Sequence, residues 1–202
     1  MDLTGCPTEC IEFEDSDSVY QIENGDLFNK MRLYDEAGYL ISGTTPGEDH
    51  MTEARGEGDK EEDKGKEEGE GLISGHAYSI IKVISCQGHQ LLNIRNPWGN
   101  FEWQGDWCDK DKKNWTHSMI EEVKPEFGDD GTFWMSFADF ASHFKSLNVC
   151  KVSDWEEVRV KGEFTNYKDQ GSMDMTTLRS RYFYELTVSD ADRRQRILIG
   201  LH

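Results

Sequence analysis

The sequence predicts an α+β fold that is mainly β, an antiparallel sheet carrying a few short helices. Two observations predict it. Residues 77–84 (AYSIIKVI) are β-branched and aromatic, and residues 90–94 (QLLNI) follow across Ser85-Cys86-Gln87-Gly88-His89. Gly88 marks a turn there, so the pair reads as a β-hairpin. Further strand-like runs recur at 39–43, 132–135 and 149–152, and after Trp155 at 158–160, 182–188 and 196–201, whereas helical spacing is confined to short segments.

The first helix is predicted from Leu27, Phe28, Met31, Tyr34 and Ala37, with Asn24 or Asp26 as cap and Gly38 just past the end. The second begins after Ser136, with Asp139 three residues on and Phe137, Phe140, Phe144 and Leu147 as its buried face. Between the first helical and strand pair and the hairpin lies GEDHMTEARGEGDKEEDKGKEEGEG, residues 47–71, which contains almost nothing that could be buried. Such a segment cannot offset its ordering entropy and is expected to be a solvated, disordered acidic insertion. Loops accept insertions at little cost, so a tolerated surface insertion is its simplest role. Residues 98–107 form a Gly- and Trp-rich loop. The final apolar run reaches Leu201 with no turn or polar tail, which implies further chain.

The formal net charge of -18 excludes phosphate-backbone recognition, which needs concentrated Lys and Arg, and favours cations instead. No apolar run reaches membrane-spanning length, and the N-terminus lacks the regions of a secretion signal, so a cytoplasmic location is expected. Five cysteines at irregular positions suit free thiols in a reducing compartment. Their spacing fits no structural zinc site.

The residues best placed for chemistry flank the hairpin: Ser74-Gly75-His76-Ala77-Tyr78-Ser79 on one side and Arg95-Asn96-Pro97-Trp98-Gly99 on the other. His76 and Asn96 are equidistant from residue 86, and residues symmetric about a turn lie opposite each other, Cα atoms roughly 4.5–5.5 Å apart. A thiol nucleophile needs an adjacent imidazole to become a thiolate, and the imidazole works better when a third group fixes its tautomer and plane. A neutral Asn does so without trapping the proton on the ring. Pro97 stiffens the following chain, and Trp98 can cover the contact. By pattern alone the same residues also fit a satisfied buried histidine and an Asn-Pro turn.

The wider set of motifs separates these readings. Gly75-His76-Ala77-Tyr78-Ser79, Arg95-Asn96-Pro97-Trp98-Gly99, Glu102-Trp103, Gly105-x-Trp107 and Gly131-x-Phe133-Trp134-Met135-Ser136-Phe137 resemble, in order and spacing, the second protease-core subdomain of calpains. Asp2-Leu3-Thr4-Gly5 resembles the motif that opens that subdomain, with Cys6 where a second Gly is usual. The resemblance implies a papain-like protease-core β subdomain over residues 1–152 and the start of a C2-like β-sandwich, incomplete, over 153–202. Near the sandwich's start KDQGSM, residues 168–173, replaces the usual Gly-Gly-Cys element.

The resemblance also implies roles. His76 is the catalytic base, Asn96 its orienting partner and Trp98 the shielding aromatic. Ca²⁺ is the implied cofactor, held by Glu102, Asp109, the carbonyl of Gly128, Asp130 and Thr132. Hard oxygen ligands from separated loops suit that ion, and Asp129-Asp130-Gly131 is also a common turn sequence. Thr132 stands where the family commonly has Glu, which removes one charge. The nucleophilic Cys belongs to a preceding subdomain, and none of Cys6, Cys10, Cys86, Cys108 or Cys150 sits in the electropositive setting a reactive thiol requires. The expected function is part of a calcium-dependent cysteine endopeptidase acting on protein substrates, partnered by a Cys-bearing subdomain and inactive alone. The alternative is a non-catalytic Ca²⁺-binding or protein-interaction module.

Overall fold

The computed structural model describes residues 6–47, 67–68, 71–153, 164–167 and 177–180. The chain divides into two compact units, Met1–Ser153 and Asp154–His202. In the first, strand β1 (Thr8–Glu12) precedes helices α1 (Ser16–Glu23) and α2 (Asp26–Glu36), then β2 (Leu40–Thr44). Two short strands, β3 (Glu67–Glu68) and β4 (Leu72–Ile73), form a ribbon ahead of β5 (Ala77–Cys86) and β6 (His89–Arg95). Helix α3 (His117–Val123), β7 (Thr132–Ser136), α4 (Phe137–His143) and β8 (Ser146–Cys150) complete the unit. In the second unit β9 (Phe164–Tyr167) pairs antiparallel with β10 (Thr177–Ser180). The strands expected at 158–160, 182–188 and 196–201 lie outside the described residues, as does most of the acidic insertion.

Six strands make one antiparallel sheet in the order β1-β8-β2-β5-β6-β7, so the mainly β, α+β expectation holds. The hairpin turn is Gln87-Gly88, both residues at positive φ (48° and 86°), as a two-residue type I′ turn demands. Its flanking register begins at Cys86 opposite His89 and then slips: Lys82 faces Asn93, but Ile80 faces Ile94, leaving Ile81 as a β-bulge. The bulge flips which parity of β5 points into the core. Tyr78 and Ile80 are buried before it, and Val83 after it, while Ile81 is 51% exposed. Asp35 on α2 accepts the Val83 N–H at 3.0 Å. This anchors the chain just past the bulge.

One face of the sheet is covered by Leu27, Phe28 and Met31 of α2 and by Phe137 and Phe140 of α4, packed on Ile41, Tyr78, Leu92, Phe133 and Leu147. The other face carries a second cluster at the hairpin end, where Trp107, Trp115 and Met119 meet Leu91 and Trp134. Strand β6 is therefore buried on both sides, which explains consecutive Leu91-Leu92 in place of alternation.

The helix caps differ in detail from expectation. Gly25, at φ 81°, is the N-cap residue of α2, and the Asn24 side chain accepts the Asp26 N–H at 2.9 Å. Ser136 caps α4 by accepting the Asp139 N–H at 3.0 Å. That helix ends at His143, so Phe144 and Leu147 are buried from the cap and from β8 rather than from a helical face. Strand β1 and helices α1 and α3 were not anticipated. Among the described residues no helix is long and apolar enough to cross a membrane.

Two tests follow from the packing. A Cβ on Gly43 would lie 2.7 Å from Phe140 and 2.8 Å from Phe144. Gly43→Ala should therefore lower stability by about 1–3 kcal/mol in urea denaturation, the range for overpacking. The second concerns Glu9, which takes hydrogen bonds from Lys151 (2.8 Å), Lys30 (2.5 Å) and the Tyr34 hydroxyl (2.8 Å). Burial pushes its carboxyl up, but these bonds outweigh burial and hold it at about 2, below the ordinary 4.5. A depressed carboxylate contributes stability above its unfolded pKa and loses it as pH falls through the folded one. Glu9→Gln should thus be less stable at pH 7 and lose less further stability than the parent as pH falls from 4.5 towards 2.

Candidate active site

His76 begins where the ribbon meets the sheet. Its backbone is held by Thr45, whose hydroxyl accepts the His76 N–H at 2.9 Å and whose N–H donates to the His76 carbonyl at 3.0 Å. The preceding residues are fixed in turn: the Ile73 N–H donates to the Tyr78 hydroxyl at 2.8 Å. Burial pushes the Tyr78 phenol up to about 12, against the pull of that bond, so it stays a neutral hydroxyl.

Asn96 follows the last residue of β6 and is fully buried, at 0% exposure, beside His76 at 6%. The simple mirror-image count about residue 86 does not hold, because the turn is centred on Gln87-Gly88 and Ile81 is bulged. Ser79 faces Arg95, so one further step sets Asn96 opposite Tyr78. His76, two residues before Tyr78, lies on the same face as a diagonal neighbour, within reach of a long side chain. The contact forms: His76 Nε2 and Asn96 Oδ1 are 3.0 Å apart.

The surrounding bonds settle the tautomer. Asn96 Nδ2 donates to the carbonyls of Asn100 (2.5 Å) and Phe101 (3.3 Å), and Oδ1 accepts the Trp98 N–H at 3.1 Å. The amide orientation is thereby fixed, so the atom facing the imidazole is an acceptor and Nε2 must carry the proton. Nδ1 then holds the lone pair. The Trp98 ring lies over the imidazole at 4.3 Å between centroids and 46°, and the Tyr78 ring meets it edge-on at 5.0 Å and 84°. Sequence reasoning did not find the Asn100 and Phe101 carbonyls, Thr45 or the part played by Tyr78. Only Tyr78, two residues on and so on His76's face, carried any signal.

The acidic residues converge on one loop. Glu102 accepts the N–H groups of Asp130 (3.0 Å) and Gly131 (2.8 Å), and Asp109 accepts that of Gly128 at 2.7 Å. Asp130 turns back to accept the Thr132 N–H at 2.8 Å. Burial raises both the Glu102 and Asp109 carboxyls, helped by Asp109 and Asp129 in the first case and by Asp130 in the second. The other Asp109 oxygen, Oδ1, is buried without a partner, an arrangement that costs about 1–3 kcal/mol. Among the described residues no three His, Cys, Asp or Glu side chains stand close enough to hold a metal by themselves. A cation here would need carbonyl oxygens as well as these carboxylates.

The loop reaches the imidazole's partner through a single peptide. Gly131, at φ 83°, donates its N–H to Glu102 while its carbonyl accepts the Asn96 N–H at 2.7 Å. Its Cα approaches the Gly99 backbone so closely that a Cβ would meet Gly99 Cα at 2.7 Å.

The thiols lie elsewhere. Cys86 is buried at the far end of β5 from His76, a strand length of roughly 30 Å, against Met119 Sδ at 3.6 Å. Burial pushes the Cys86 thiol up, with Glu122 adding to it, and burial followed by Glu12 raises Cys10. Cys108 is packed in the main core. Cys6 and Cys150 are half-buried at the β1–β8 edge.

Residues 1–151 match the family described as "Calpain family cysteine protease". The chain is 32% identical over 198 residues to "Calpain-type cysteine protease ADL1" of Oryza sativa subsp. japonica, covering 95% of this chain and 8% of that protein. It is 31% identical over 198 residues to "Calpain-type cysteine protease DEK1" of Arabidopsis thaliana, with the same coverage of 95% and 8%. "Calpain-B" of Drosophila melanogaster is 32% identical over 191 residues, covering 82% of this chain and 18% of that protein. The chain thus spans a small part of the length of these relatives. With a family match over most of the chain and such identity along nearly all of it, the chain belongs to the calpain family of cysteine proteases.

Proposed function

We propose that this chain supplies the base and its orienting amide to a calcium-dependent cysteine endopeptidase, the nucleophilic thiol coming from a second protease subdomain. The observation that carries the reading is the buried contact of 3.0 Å between His76 Nε2 and Asn96 Oδ1. It leaves Nδ1 as the free base. In the reaction the thiol proton passes to Nδ1, the thiolate adds to the scissile carbonyl of a protein substrate, and the imidazolium returns the proton to the leaving amine. His76 then takes a proton from water, whose oxygen attacks the thioester; the C–S bond breaks, the acid leaves and the imidazolium returns its proton to the thiolate. Asn96 holds the ring through both steps without acquiring charge. Trp98 excludes water from the contact and so strengthens it.

The raised thiols of Cys10 and Cys86, the latter at the far end of β5 from His76, support a nucleophile from elsewhere. Ca²⁺ binding at the acidic loop is supported by the orphaned Asp109 Oδ1, a hard oxygen lacking a partner. Glu102, Asp109, the Gly128 carbonyl, Asp130 and Thr132 would hold it, and because no three acidic side chains stand close enough among the described residues, binding would have to draw the loops together. Bound there, the ion would neutralise their mutual repulsion and tie the two loops together. Residues 153–202 are read as the start of a C2-like sandwich, supported by the antiparallel β9–β10 pair. A non-catalytic Ca²⁺-binding or protein-interaction module is the second reading, favoured by the raised Cys10 and Cys86 thiols.

Mixing the chain with a protease subdomain that bears a cysteine at a helix start, with Ca²⁺, should give peptide hydrolysis. His76→Ala should cut turnover by roughly 10²–10⁴-fold, as for loss of a general base. Asn96→Ala should cost about 10- to 100-fold through misplacement of the ring. Hydrolysis indifferent to His76 would leave only the binding module. Separately, calorimetry of the chain alone should show Ca²⁺ uptake, weakened roughly tenfold or more by Asp109→Ala, because charge count sets affinity at such sites. No heat with the parent chain would remove the ion from this loop.

A further inference from the structure

We infer that Thr45 is a positioning residue for His76, a role that rests on His76 being the base. Strands β2 and β5 pair up to Thr44 opposite Ala77. Thr45 and His76 continue that ladder by one rung, and the rung is unusual. The Thr45 N–H donates to the His76 carbonyl at 3.0 Å, as in a sheet, but the His76 N–H goes to the Thr45 hydroxyl at 2.9 Å. The hydroxyl proton points on to the Ile73 carbonyl at 2.6 Å, the shorter of its two acceptors, with the His76 carbonyl at 3.1 Å.

The side chain stands in for a backbone acceptor because the chain must leave the sheet at this point. Pro46 follows, and the residue before a proline is confined to extended backbone. The Pro46 carbonyl then accepts the Gly75 N–H at 2.8 Å and the Ser74 hydroxyl at 2.9 Å. Thr45 is 2% exposed, so no water competes for its hydroxyl. With both backbone groups of His76 held, only the two side-chain torsions of the ring remain free, and Asn96 and Trp98 fix those. A valine has the same shape but can neither accept from His76 nor donate to Ile73.

The experiment compares Thr45→Val with Thr45→Ser, which keeps the hydroxyl. The first readout is NMR of His76 in the chain alone, whose ring protons feel the aromatic current of Trp98 at 4.3 Å. In T45V these resonances should move towards random-coil positions, while those of the distant Trp107 and Trp115 stay fixed; in T45S they should stay near the parent values. The second is hydrolysis with the thiol-bearing partner. T45V should lose roughly 10- to 100-fold in kcat at unchanged KM, the scale of a misplaced catalytic group, and T45S should recover most of it. If T45V does not fold, Thr45→Cys, whose thiol is a weak donor and acceptor, replaces it with the same expected directions.

Unmoved His76 resonances in the folded variant, or kcat equal to the parent, would overturn the positioning role. A variant that only melts earlier, with normal kcat per folded molecule, would do the same by reducing Thr45 to a structural residue. Failure of the underlying reading looks different: hydrolysis would then be indifferent to Asn96→Ala as well, whereas an inert T45V change beside a damaging Asn96→Ala sinks the Thr45 inference alone.

Discussion

The geometry of the site depends on one extra residue in β5. Without the bulge at Ile81 the register set at Cys86 and His89 would run on unchanged, and Asn96 would face Ser79 in place of Tyr78. A slip of one residue reverses every side chain on a strand, so the amide would point away from the face that His76 and Tyr78 share. The bulge restores the parity. It is anchored from outside the sheet, because Asp35 of α2 takes the Val83 N–H. The hydrophobic clusters obey the same switch: Ile80 and Val83 both reach the main core although they are three apart, and the distal half of the hairpin is free to present Leu91 to the tryptophan cluster.

Given that placement, the electrostatic design is economical in charge. The imidazole is flanked by an amide, an indole and a phenol that burial keeps neutral. A carboxylate in place of Asn96 would stabilise the protonated ring far more strongly in so buried a spot. The amide instead orients the ring through directional bonds alone, and its remaining hydrogen-bonding groups are spoken for by Trp98, Asn100 and Phe101. Charge is collected nearby on the Glu102 and Asp109 loops, which connect to Asn96 through the Gly131 peptide.

What the sequence revealed tracks the range of the interactions involved. The hairpin, α2 and α4 were legible because apolar periodicity, a turn glycine and a capping serine are local signals. His76, Asn96 and Trp98 were legible as a set because their motifs flank that hairpin. The register was not, since the chain past the bulge is anchored by the Val83 N–H donating to Asp35, 48 residues away in sequence, and no local pattern encodes it. Strand β1 was missed because TECIE buries only Ile11 and is held by pairing with β8 at the other end of the unit. Helix α3 is short and rests on Cys86 and Leu91 through Met119. Thr45 was invisible for a related reason: before a proline it reads as a turn residue, and its value lies in a partner 31 positions on.

The rung between Thr45 and His76, with the Pro46–Gly75 bond beside it, also closes the root of the acidic segment. A Cβ on Gly47 would meet Ser74 Oγ at 1.9 Å, so the outgoing and returning chains touch there. For a flexible loop whose ends are held together, doubling the length adds only about 0.6 kcal/mol of closure entropy. A root pinned in this way keeps the rung at Thr45 and His76 in register whatever the length beyond it.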